Sequence, residues 1–162
     1  VVELLKWENK RGGINHIHGY GGNGREMFDG LMEREKVERT DRMILKEYID
    51  NMYTCMCAAD IIVSRAGAMT LTELKAIGRA SILIPFPQAA ENHQYYNALS
   101  MSDEKAAVLI EDKDLEKTKL IECVEDFLKH PDKLREMEQN AARLGTRNAA
   151  DVIVSRIIDL IK

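Results

Sequence analysis

The chain has 162 residues, 45% of them hydrophobic and 31% charged, with a formal net charge of −4. That length suits one domain with a sizeable core, and the acidic balance argues against a nucleic-acid partner while leaving room for a local phosphate pocket. No apolar run approaches a membrane span, and the opening "VVELLKWENKRGG" lacks the basic-then-apolar order of a signal peptide.

An odd count of three cysteines, Cys55, Cys57 and Cys123, contains no C-x-x-C pair, so a reducing, intracellular setting without disulfides is expected. On a helix Cys55 and Cys57 point to different faces, and small buried thiols fit them better than a metal site shared with a histidine. A start at Val1 rather than methionine suggests a piece of something longer.

In chain order, Val1, Leu4, Leu5 and Glu8 share one face of a first helix, which Gly12 and Gly13 should stop. "INHIH" is a short strand. Behind it stands "GYGGNG", residues 19–24, a literal G-x-G-x-x-G that would cradle a dinucleotide pyrophosphate if it closed the first strand of a βαβ unit, with Asp41 available for the ribose. Asn15, His16 and His18 interrupt the apolar run such a strand needs, so a plain glycine-rich loop is the better reading. Residues 25–36 then place Met27, Phe28, Leu31 and Met32 on one side of an amphipathic helix. "MILKEYI" is the next strand, and "DNMYTCMCAA" a helix with Asp50 as its N-cap.

Two short branched strands follow, "DIIVS" and "SILIPF", joined by the helix "TLTELKAIG" that Gly78 ends. "AENHQYYNALSMSD" is another helix and "AAVLIE" another strand. From about Leu115 the chain is helical, punctuated by His130-Pro131. Alternating strands and helices predict a Rossmann-like parallel sheet covered on both faces, with ligands beyond the carboxyl ends of its strands. The loops after His16, Lys46, Val63, Pro85 and Ile110 lie on that rim. No internal repeat, low-complexity tract or flexible linker is visible.

The stretch "SRAGAMTLTE", residues 64–73, leaves a buried strand and opens a helix. Gly67 and Ala68 keep the turn free of bulk, so the amides around Ala68, Met69 and Thr70 can meet an anion at the positive end of the helix dipole. An ordinary strand-to-helix turn capped by Thr70 or Thr72 explains the same residues equally well. Glu73 can act as a capping-box carboxylate or reach two vicinal hydroxyls of a ribose. On the next loop, "PFPQAAENHQYYNA" gathers Asn92, His93, Gln94 and Asn97, whose amides and imidazole suit sugar hydroxyls and an N-acetyl group, or simply start a solvated helix. Asp112-Lys113-Asp114 is a D-x-D of the kind that holds divalent metal in some glycosyltransferases, but Asp114 fits better as N-cap of the helix from Leu115. No G-x-S-x-G, P-loop or H-E-x-x-H is present.

Taken together, "YIDNM...AADIIVSRAGAMTLTELKAIGRASILIPFPQAAENHQYYNA" resembles the C-terminal half of the MurG family, densely over residues 48–98 and more loosely through "AAVLIEDKDL" and a three-helix tail. His16 and Gly19 match a His-x-x-Gly of that family. The resemblance implies a GT-B glycosyltransferase fold, of which residues 1–162 would be the UDP-N-acetylglucosamine-binding domain, lacking its first strand, the serine-bearing "GGS-GA" loop and the whole acceptor domain. It implies that Ile49 recognises uracil through its backbone, that Ala68, Met69 and Thr70 meet the phosphates, and that Glu73 binds the ribose. His93 and Gln94 would contact the N-acetylglucosamine hydroxyls. Arg65 and Gly67 would shape the motif, Leu71 and Thr72 belong to the same substrate-binding stretch, and Asn97 would anchor its helix.

The implied reaction is transfer, with inversion, from UDP-N-acetylglucosamine to undecaprenyl-diphosphate-linked muramoyl pentapeptide (lipid I), giving lipid II for peptidoglycan. The whole enzyme would work on the inner face of the bacterial plasma membrane, with no metal or cofactor. No catalytic base is expected in this segment, which would be inactive without its acceptor domain. The alternatives are a non-catalytic UDP-sugar module, or the donor half of a related transferase with another acceptor, such as the split eukaryotic enzyme that makes dolichol-linked chitobiose.

Overall fold

In the computed structural model, which describes residues 1–115, 119–146 and 148–161, every strand pairs in parallel. The ladders form two sheets, β1 (His16–Gly19) with β2 (Met43–Lys46), and β3 (Ile62–Ser64), β4 (Ser81–Leu83) and β5 (Val108–Leu109) in the order β3-β4-β5. The single sheet expected from the sequence is thus realised as two. The chain divides into two compact units, one of residues 1–58 and 115–128, the other of residues 59–114 and 129–162.

In the first unit α1 (Val2–Arg11) buries Val2, Leu4, Leu5 and also Glu8. The carboxylate in that apolar stripe has a reason: His16 Nδ1 lies 2.9 and 3.0 Å from its two oxygens, so the pair satisfies itself where water is scarce. Gly12 ends the helix at φ 71°, a conformation that side chains resist. α2 (Arg25–Arg34) buries Phe28 and Met32, which join Val2, Leu5 and Val37 in one core cluster. Met27, expected on the same side, is 69% exposed, because it stands one residue (100°) round the helix from Phe28 and off the buried stripe. α3 (Met52–Ala58) starts after the Asp50 proposed to cap it, and Cys55, Cys57 and Cys123 are partly buried thiols outside any disulfide among the described residues. α6 (Lys119–Lys129) belongs to this unit through Leu128, and its Glu125 accepts from Trp7 Nε1 at 3.1 Å. The expected helix start near Leu115 falls on residues 116–118, outside the described residues.

The glycine loop of residues 19–24 forms a single 3-10 turn, Gly22–Gly24. The amides of Tyr20 and Gly21 donate to Lys46 and Glu47 carbonyls at 3.0 Å each, extending the β1–β2 ladder, and are spent there. Gly22 also sits against the Glu47 carboxylate, an unsuitable neighbour for a phosphate.

The second unit is built on β4, the central strand of its sheet, whose Ser81, Ile82 and Leu83 are all fully buried, as a strand covered on both faces requires. α4 (Ala68–Ile77) buries Leu71 and Leu74, α5 (His93–Asp103) buries Ala98 and Met101, and α7 (Pro131–Arg143), with proline in its first turn, buries Met137 and Ala141. α8 (Ala149–Leu160) is exposed along its length, including Ile153, Val154, Ile157 and Ile158 on adjacent turns.

Gly78 does two jobs at once. It ends α4 in the left-handed region, φ 65°, and a Cβ there would meet Ala142 Cβ of α7 at 2.8 Å. Gly78→Ala should therefore destabilise the chain by more than the roughly 1–2 kcal/mol of left-handed strain alone, read as a fall in urea midpoint; a loss no greater than that strain would show that α7 yields freely.

His18 supplies a second expectation. Its ring packs 5.1 Å from Phe28 and edge-on to His16, and burial pushes its pKa down to about 4, with repulsion from His16 adding to the effect. The unfolded chain takes up this proton near 6.5 and the folded chain only near 4, so between those values the unfolded state binds more protons and stability falls as pH falls. Denaturant midpoints at pH 7 and pH 4.5 should differ for the wild type and differ less for His18→Phe; equal pH dependence in the two would remove His18 as the cause.

Candidate functional site

Parallel pairing carries the ends of β3, β4 and β5 to one rim, and the ladder continues one step past them through Ile84 N–H on Ser64 O at 2.9 Å and Ile110 N–H on Leu83 O at 3.0 Å. The turn from β3 into α4 holds the densest group of sequence-predicted residues. Gly67 precedes the helix in an extended conformation and offers no side-chain cap. Leu71 N–H, bonded to Gly67 O at 3.0 Å, is the first to enter the helical ladder, so the amides of Ala68, Met69 and Thr70 have no intrahelical acceptor. Thr72 does not serve as a cap, since its hydroxyl donates back to Ala68 O at 3.0 Å.

Gly67 is not required by its backbone, whose φ of −68° any residue adopts, nor by the surrounding protein, because an added Cβ would meet only Thr70 Oγ1 at 3.8 Å. What its missing side chain leaves open is the approach to the helix start. Glu73, one turn in, is exposed and makes no hydrogen bond or ion pair among the described residues; the capping-box role is not taken up. Three unspent amides beside an uncommitted carboxylate form a site that can take a phosphate and a pair of hydroxyls together. No Lys, Arg or His lies between Arg65 and Lys75, so the attraction comes from the backbone.

The loop from β4 into α5 brings the second group. Glu91 and Asn92 both adopt positive φ, 49° and 55°, which is costly for glutamate and marks a loop held by its surroundings. They turn the chain so that His93 and Gln94 open α5. His93 Nδ1 lies 2.7 Å from Ala90 O, and Gln94 Oε1 accepts the Phe86 N–H at 3.0 Å. A carbonyl only accepts, so His93 must carry its proton on Nδ1 and present Nε2 as an acceptor, while Gln94 has its NH₂ left to donate. Asn97 Nδ2 donates to Ala66 O at 3.1 Å, tying α5 to the β3–α4 turn, the anchoring role expected of it.

Arg65 folds across the rim. Its Nη1 reaches Ile84 O, Pro85 O and Asp112 Oδ1 at 3.3, 3.1 and 2.6 Å, so that nitrogen is committed to protein acceptors. Sequence reading missed Asp112 in this role; only its position just past β5 in a parallel sheet could have pointed to it. Lys113 turns instead to Glu111 at 3.1 Å, and the hydrogen bond and charge of that carboxylate raise its pKa. Ile49, the remaining predicted contact, lies in the first unit after β2 with its side chain buried against Gly19, which leaves only its backbone to offer.

A parallel α/β unit with helix amides, a carboxylate and a polar loop along its strand-end rim belongs to the Rossmann-like class of α/β domains. Its family is more specific. The model of the glycosyltransferase family 28 C-terminal domain matches residues 1–153, and the chain belongs to that family. Among relatives, the UDP-N-acetylglucosamine–N-acetylmuramyl-(pentapeptide) pyrophosphoryl-undecaprenol N-acetylglucosamine transferase of Desulforamulus reducens is 39% identical over 95% of this chain. The protein of the same name in Acetivibrio thermocellus is 36% identical over the whole chain. A crystal structure of Acinetobacter baumannii MurG superposes with a TM-score of 0.75 at 27% identity, covering 90% of this chain. The chain spans less than half the length of each, 42%, 43% and 43% respectively.

The tautomer assigned to His93 is directly measurable. Long-range proton–nitrogen spectra of the neutral imidazole should place the proton on Nδ1, against the intrinsic preference for Nε2, and the pattern should revert to Nε2–H if the loop is opened by denaturant. An Nε2-protonated ring in the folded chain would reverse the polarity assigned here.

Proposed function

We propose that residues 1–162 are the donor-binding domain of an inverting glycosyltransferase and that they bind UDP-N-acetylglucosamine. The observation that carries this reading is the start of α4, where uncapped amides of Ala68, Met69 and Thr70 stand beside the free Glu73 carboxylate. The diphosphate would accept from those amides, and the ribose hydroxyls would donate to Glu73. A sugar hydroxyl would donate to His93 Nε2, and the Gln94 NH₂ would donate to a sugar oxygen. Ile49 would read uracil through its backbone.

The names of the family 28 relatives support N-acetylglucosamine as the transferred sugar and an undecaprenyl-diphosphate-linked muramoyl pentapeptide as acceptor, with lipid II as product. In that reaction the acceptor hydroxyl displaces UDP at the anomeric carbon with inversion, and the amides of α4 stabilise the charge that collects on the departing diphosphate. No metal or cofactor is needed where backbone amides perform that task, and proton removal falls to the acceptor domain. The need for such a domain is supported by the chain's share of its relatives and by the apolar row on α8, a surface that a further domain would cover. A lipid acceptor would bring the whole enzyme to the cytoplasmic face of the plasma membrane from outside the bilayer; among the described residues no helix is long and apolar enough to cross it.

The test is an NMR titration of the chain with UDP-N-acetylglucosamine, UDP-glucose and UDP. Shifts centred on residues 49 and 68–73 with preference for the N-acetyl sugar are expected, and the absence of binding by a folded chain would reject the reading. Glu73→Ala should weaken UDP binding by roughly 1–3 kcal/mol, the scale of hydrogen bonds to a charged group, and unchanged UDP affinity would remove Glu73 from the ribose site.

A further inference from the structure

The Asp112-Lys113-Asp114 triplet takes no part in the function just described, yet its first carboxylate meets the site's most connected side chain. Asp112 Oδ1 accepts from Arg65 Nη1 at 2.6 Å, and the same nitrogen lies 3.1 Å from Pro85 O and 3.3 Å from Ile84 O. The guanidinium also covers the Phe86 ring, 5.5 Å from its centroid. One cation thus spans the segments that leave β3, β4 and β5. Two of those segments carry the proposed phosphate and sugar contacts, and Gln94 closes the second by accepting the Phe86 N–H.

The geometry points to Asp112 as a positioning residue of the donor site: by holding the Arg65 guanidinium over the β4–α5 loop, it sets the spacing between the phosphate-binding turn and the loop bearing His93 and Gln94. Arg65 has 49% and Asp112 37% of its side chain exposed, so the pair adds little to global stability and its effect is local. All three acceptors meet the same terminal nitrogen, Nη1, so carboxylate and carbonyls are held at one point of the rim, while the flat face of the guanidinium lies over Phe86. Asn97 on Ala66 O is a second strap between the same two segments, so loss of Asp112 should loosen the rim without unfolding it.

What the two loops bind rests on the donor-site reading; the clamp itself does not, and the experiment separates them. Amide hydrogen exchange of the ligand-free chain should quicken in both residues 65–70 and residues 84–94 in Asp112→Ala, with the thermal midpoint nearly unchanged. Affinity for UDP-N-acetylglucosamine should drop about tenfold in Asp112→Ala, the scale of a modest misplacement of binding groups, with Asp112→Asn intermediate. Arg65→Ala should weaken binding similarly, and adding Asp112→Ala to it should cost nothing more. Unchanged exchange in either segment would overturn the clamp whether or not the chain binds a nucleotide sugar. Unaltered or tighter sugar-nucleotide binding in Asp112→Ala, beside a wild type that binds, would overturn its positioning role and make Asp112 a restraint on a phosphate-seeking Arg65. A wild type that binds no nucleotide sugar would count against the donor-site reading, and the exchange measurement would still decide the clamp.

Discussion

Parallel pairing of Ile62–Ser64, Ser81–Leu83 and Val108–Leu109 is the constraint from which the site follows. Strands that run the same way must send their following turns to the same rim, so residues far apart in sequence meet there without any contact designed for the purpose. Arg65 reaches Asp112 across 47 positions of sequence, and Asn97 reaches Ala66 across 31, because each stands just past a strand of one sheet or on the helix that leaves it. The burial of β4 on both faces holds that sheet in place, and the sharp end of α4 at Gly78 fixes the helix whose other end faces the ligand.

The electrostatics of the rim are economical in an unusual direction. In the proposed donor site, a chain of net charge −4 would be expected to bring lysine or arginine to a diphosphate, yet the one arginine in the turn gives its Nη1 to two carbonyls and a carboxylate. The anion is left to the amides of α4, whose partial charges are fixed by the backbone and need no side-chain ordering. Such a site has little long-range pull, so its affinity should depend less on ionic strength than a lysine-lined pocket would. In that reading it would also keep flexible cations away from the leaving group, where a rigid set of N–H groups would stabilise developing charge without reorganising.

How much of this was legible in the sequence differs by residue. The turn "SRAGAMTLTE" was readable as a strand-to-helix turn because glycine, the strand before it and the helix after it are all local signals. Glu73 was ambiguous between cap and ligand, since both roles need a carboxylate one turn into a helix; only its lack of a partner in three dimensions separates them. The stripe of α2 was misjudged at Met27 because periodicity identifies a face but not how wide a sector the neighbouring sheet covers. Asp112 drew notice only as the first residue of a D-x-D triplet, and no role was read for it. Its partner is non-local, and sequence patterns carry almost no information about such pairs.

The division of labour at the rim follows from what each kind of group can do. Backbone amides give direction to an anion but cannot tell one sugar from another, whereas His93 and Gln94 present one acceptor and one donor in a fixed order because each has its other atom tied to its own loop, at Ala90 O and Phe86 N. Selectivity of this kind depends on the two loops keeping their separation, since a hydroxyl must meet the imidazole nitrogen while the diphosphate still reaches α4. A side chain that stands on one strand-end segment and bonds the other two is therefore placed, in the proposed site, to govern the spacing of the two loops without itself contacting the sugar.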